Sequence, residues 1–67
     1  MSRQEIGETI CWYRKLNSLT QAKLGKILGY SQRTISDWEK GNTEPNIEAI
    51  RKIAEFFDIT YDELIGH

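Results

Sequence analysis

With 67 residues the chain has room for one domain and one small core, which buries only about 60% of the surface that the unfolded chain exposes. Hydrophobic residues make up 39% and charged residues 28%, the balance of a soluble globule, and no apolar run approaches the roughly 20 residues of a membrane span. Nine basic side chains against ten acidic ones leave a net charge of −1, which excludes the uniformly basic surface common among nucleic-acid-binding domains.

Small polar residues stand before each apolar-periodic stretch and set out five helices. Ser2 and Glu5 have the spacing of a capping box, after which Ile6, Ile10 and Tyr13 fall on one face. Asn17-Ser18 ends this first helix. Thr20 caps a short second helix carrying Leu24, Ile27 and Leu28, and Gly29 supplies the left-handed residue that stops it. Ser31 caps a third helix that runs to about Lys40 with Ile35 and Trp38 facing inward, until Gly41 breaks it and Asn42-Thr43-Glu44-Pro45 turns the chain. Asn46 caps a fourth, whose apolar stripe is Ile47, Ile50, Ile53, Ala54 and Phe57. Thr60 and Glu63 form a second capping box for a last short helix holding Leu64 and Ile65. No stretch alternates with a period of two or repeats, so the expected fold is all-α, a compact five-helix domain over residues 1–67.

The second and third helices are joined by Gly29-Tyr30 alone, so they must cross steeply, as in a helix-turn-helix. Gly25 in mid-helix, about 1 kcal/mol worse there than alanine, marks the close approach of another helix. Charge is unevenly divided: residues 1–40 sum to +3 and residues 41–67 to −4, leaving one mildly positive end able to approach phosphates.

Other chemistries find little material. Cys11 stands alone and reads as a small apolar residue, and with His67 as the only histidine no zinc-ligand spacing exists. No serine or cysteine has a base within motif spacing, and Asp62 and Glu63, adjacent on a helix, diverge. An enzyme, a metal and a cofactor are therefore not expected. Met1-Ser2-Arg3-Gln4-Glu5 has no apolar segment behind it, which makes the cytoplasm the expected location.

The stretch from Leu19-Thr20-Gln21 through Gly29, Thr34-Ile35-Ser36 and Trp38-Glu39-Lys40-Gly41 closely resembles the phage-repressor-like helix-turn-helix family, the Cro/C-repressor or xenobiotic-response-element type. Ile6-Gly7-Glu8, Arg14, Pro45, Ile53-Ala54 and Asp62-Glu63-Leu64 extend the likeness over residues 5–65. The resemblance implies a lambda-repressor-like domain, a sequence-specific binder of double-stranded DNA that regulates transcription, expected as a repressor, with helix 3 in the major groove. It implies that Gln21 contacts a phosphate and braces the recognition helix, and that Ser31, Gln32, Arg33, Ser36 and Asp37 face the groove. Lys40, Asn42 and Thr43 would then lie along the backbone, positioning without reading. Arg33 suits guanine and Gln32 adenine, each by two hydrogen bonds, while Asp37 either repels phosphate or accepts from a cytosine amino group. The resemblance also implies a largely buried ion pair between Arg14 and Glu39.

One recognition helix reads only a few base pairs, so a homodimer on a palindromic operator is expected. Phe57, Ile59, Tyr61 and Ile65 are the apolar residues available for its interface or for closing the core. Two departures from the family pattern stand out. Ser18 takes a place usually held by glycine, so it or Asn17 must accept a strained turn, and Trp12 and Leu16 form a small apolar patch where relatives are polar. That patch and the low net charge leave open a second reading, an antitoxin or anti-repressor module that binds a protein partner on the same fold.

Overall fold

The computed structural model describes residues 2–66, so His67 lies outside the described residues. Among those described, five helices follow one another: α1 (Arg3–Leu16), α2 (Gln21–Leu28), α3 (Gln32–Lys40), α4 (Ile47–Phe57) and α5 (Tyr61–Ile65). Each begins on a side chain that accepts from its own first turn: Ser2 from the Glu5 amide, Thr20 from Lys23, Ser31 from Thr34, Asn46 from Ala49 and Thr60 from Glu63. In α1 and α5 the glutamate returns the bond to the cap amide and completes the capping box. Left-handed residues end α2, α3, α4 and α5, namely Gly29, Gly41, Asp58 and Gly66, with Asp58 adopting φ +56° without being a glycine.

Every helix contributes a large, fully buried side chain to the centre: Ile10, Leu24, Ile35, Ile53 and Leu64. Ile6, Leu28, Trp38, Ala49, Ile50 and Ala54 enlarge this core, and Leu19, Tyr30, Phe57, Ile59 and Ile65 pack against its edge. Helix α3 is held chiefly between α1 and α2, and α5 closes the bundle against α1 and α4.

Two residues of the sequence pattern are left exposed, and Tyr13 is half-buried outside the central cluster. Ile27 is 43% exposed and Ile47 78% exposed. The eight-residue α2 offers the core only the strip Leu24, Gly25 and Leu28, and Ile27 sits on its solvent shoulder. Ile47 is the first residue of α4, where the backward tilt of the Cα–Cβ bond carries a side chain past the end of the packed surface. The turn after α1 strains at Ser18, with φ +58°, while Asn17 remains at φ −95°.

Candidate nucleic-acid interface

Helix α3 is two-faced. Ile35 and Trp38 are buried against the bundle, with Tyr30 edge-on to the Trp38 ring at 4.9 Å between centroids. At about 100° per residue, Arg33, Ser36, Asp37 and Lys40 fall within an arc of about 100° on the other side. Ser31, Gln32, Arg33 and Lys40 are exposed, as are Asn42 and Thr43 beyond the helix, whereas Ser36 and Asp37 are half-buried. Lys15, Lys23 and Lys26 are exposed on α1 and α2.

Close backbone approach lets α3 sit where it does. A Cβ built on Gly25 would lie 2.5 Å from the Tyr30 carbonyl oxygen, which binds the turn between α2 and α3 against α2 itself. Gly7 has the corresponding place on α1, where a Cβ would collide with the carbonyl oxygen of Trp38. A methyl group at either point would push α3 off its support.

Polar contacts then fix the far end of α3. The Arg14 Nε and Nη2 groups donate to the two oxygens of Glu39 at 2.6 and 3.0 Å, and Nη1 donates to the Leu19 carbonyl at 2.7 Å. Gln21 Nε2 donates to Glu39 at 3.0 Å. One carboxylate thus joins α1, α2 and α3, with side chains only 11% exposed at Arg14 and 6% at Glu39. Burial by itself would raise the Glu39 carboxyl, but the hydrogen bonds from Arg14 and Gln21 outweigh it and hold the pKa below the ordinary glutamate value. The same bond to Glu39 raises Arg14. Cys11 is half-buried, and its Sγ accepts from Arg14 Nη2 at 3.7 Å.

On the open face of α3, Arg33 and Asp37 pair at 3.4 Å through Nε and Oδ2, a contact that no sequence pattern indicated. Asn42 Nδ2 lies 3.5 Å from the other Asp37 oxygen. Arg3 was also missed: from the first position of α1 its Nη1 donates to the Asn42 carbonyl at 3.2 Å, which adds a cation beside Asn42 and Thr43. Thirty-nine residues separate the two, and no local pattern signals such a contact. Elsewhere, Phe57, Ile59 and Ile65 are half-buried against the core, leaving Tyr61 as the open member of that group; Phe56, which the sequence pattern did not single out, is also exposed and packs edge-on to Phe57. Trp12 and Leu16 are exposed on α1, and Trp12 packs edge-on to Tyr13, which stacks on Phe57. No cluster able to hold a metal ion, and no helix long and apolar enough to cross a membrane, occurs among the described residues.

A helix-turn-helix family model matches residues 12–64. The transcriptional activator BcrR of Enterococcus faecalis is 39% identical over 92% of the chain, which spans 30% of that protein's length. An uncharacterized helix-turn-helix transcriptional regulator of Methanocaldococcus jannaschii is 42% identical over 79% of the chain and 80% of its own length. Among solved structures, the c2 repressor of Salmonella phage P22 bound to a synthetic operator superposes with a TM-score of 0.82 at 39% identity, covering 88% of this chain and 89% of that one.

Proposed function

The chain belongs to the helix-turn-helix family, and from that premise we propose that it binds double-stranded DNA sequence-specifically and regulates transcription as a repressor, inserting α3 into the major groove. The observation that carries this reading is the two-faced α3: a buried apolar side pinned by the Arg14–Glu39–Gln21 contacts, and an open polar side with Gln32 and Arg33 at its N-terminal end. Arg33 reads guanine and Gln32 reads adenine, each contact discriminating by about 1–3 kcal/mol. Ser31, Ser36 and Asp37 line the same groove. Gln21 braces α3 and, at the start of α2, meets a phosphate, while Lys40, Asn42 and Thr43 follow the backbone. The protein acts in the cytoplasm, without cofactor, as a homodimer on a palindromic site.

Selection from a randomised duplex pool tests the proposal, together with titration of random duplex at two salt concentrations. Enrichment of one recurring half-site is expected, along with an affinity for random duplex that falls steeply as salt is added. Absence of DNA affinity at every salt concentration would overturn the reading and favour the protein-interaction module, for which Trp12 and Leu16 offer an exposed apolar patch.

A further inference from the structure

Arg33 occupies an unfavourable place for the helix it belongs to. As the second residue of α3 it brings a cation to the positive end of the helix dipole, where anions are favoured. Its partner Asp37 stands four residues C-terminal, the weaker order for an oppositely charged pair on a helix. Neither charge stands where it would help the helix most, and the pair they form lies on the open face of α3.

The two side chains are unequally free. Arg33 is 85% exposed, whereas Asp37 is 24% exposed, next to Asn42 Nδ2 at 3.5 Å. The backbone behind Asp37 is held as well, since its carbonyl accepts from the Asn42 amide at 2.9 Å and from the Thr43 amide at 3.4 Å. The aspartate is the enclosed member of the pair and the arginine the open one. The closest approach is made by Arg33 Nε, and among the described residues no hydrogen bond engages Nη1 or Nη2, so that edge keeps its hydrogens for another acceptor. That edge is the fork that matches guanine O6 and N7.

We infer that Asp37 is a positioning residue for base reading: it reads no base itself, but holds the Arg33 guanidinium with its Nη1–Nη2 edge toward the groove. The inference rests on the proposed reading of guanine by Arg33. Asp37 also sets a negative charge beside the phosphates, so it weakens binding to every sequence while sharpening the choice of one base. These effects have opposite signs, which separates positioning from support of the fold.

The experiment measures Arg33→Ala, Asp37→Asn and the double variant against the selected site, against that site with each half-site guanine replaced in turn, and against random duplex. Thermal melting of each variant registers any loss of fold. Asp37→Asn is expected to bind random duplex more tightly than the parent does. An exposed ion pair is worth up to about 1 kcal/mol, so the same variant should lose about two- to fivefold of the guanine preference, at the base pair where Arg33→Ala loses it. In the double variant Asp37→Asn should cause no further loss of preference. If Arg33→Ala abolishes the preference while Asp37→Asn leaves it intact, the positioning role is overturned and the guanine reading stands. If Asp37→Asn alters preference at another base pair, with or without Arg33, then Asp37 reads that base directly and the inference fails. Should Arg33→Ala weaken all duplexes equally, the guanine reading fails first and the positioning role fails with it.

Discussion

Glu39 ties three helices together at one point, because its carboxylate receives hydrogen bonds from two other helices while its side chain is only 6% exposed. Arg14→Ala leaves that charge buried and unpaired, and the expected loss of stability is about 3–5 kcal/mol, a large share of what a domain this small possesses. Urea denaturation of the variant beside the parent measures it. The pH dependence follows from the lowered Glu39 pKa. A carboxyl whose folded value lies below its unfolded value adds stability that is complete above the unfolded value, about 4.3 for glutamate. That contribution is lost as the pH falls through the folded value beneath it. Glu39→Gln should therefore be less stable than the parent at neutral pH and less sensitive to acid below about pH 4.3; parallel stability profiles would show that the pair does not titrate with folding. Lys40→Ala is expected to weaken binding to all DNA sequences about equally and to reduce the salt slope by roughly one, since a phosphate contact carries no base information. A change in base preference on titration would place Lys40 in the groove.

At the scale of the element, the helices are separated by turns whose backbone demands were mostly written in local residue types. Ser18 and Asp58 are the exceptions, at φ +58° and +56°; aspartate tolerates the left-handed region comparatively well, whereas for Ser18 it is about 1–2 kcal/mol unfavourable. Ser18→Gly should raise the melting temperature, by less than that strain implies because glycine loses more entropy on folding. A lower melting temperature would mean that the serine side chain contributes something the geometry of the turn does not reveal. Gly7 makes the opposite case. Its φ is helical and alanine would suit the isolated α1, yet a Cβ there meets backbone of α3 and not a side chain that can rotate away. Gly7→Ala is expected to destabilise by at least the roughly 1–3 kcal/mol of an overpacked core and to weaken DNA binding by displacing α3. Calorimetry and titration of the same sample check both effects.

For the whole molecule, dimension and charge set what a single copy can do. Its extents are 27 × 25 × 21 Å, less than the roughly 34 Å of one turn of DNA, so on the proposed reading one copy would reach one half-site. Two copies related by a two-fold axis should protect a palindrome with half-sites about one turn apart. Footprinting that showed a single unrepeated half-site would count against the dimer. The division of charge along the chain, +3 before residue 41 and −4 after it, puts the acidic excess on α4, α5 and their connections, leaving α1 to α3 for the phosphates.

The sequence by itself determined the order of the helices, their caps and most of the buried side chains, because caps, left-handed stops and apolar periodicity are interactions between residues a few positions apart. Thr60 and Glu63, or Ser31 before Ile35 and Trp38, carry their meaning within one or two turns of chain. The family resemblance named the polar residues of α3 but could not say which of them touch one another. Only the tertiary structure joined Arg3 to Asn42, brought Gln21 onto the Arg14–Glu39 pair, placed Gly7 against Trp38, and left Ile27 and Ile47 in solvent. The reason is the same in each case: which side of a short helix is covered, and by what, depends on neighbours far away in the chain, and periodicity records an apolar face without recording how much of it another helix reaches.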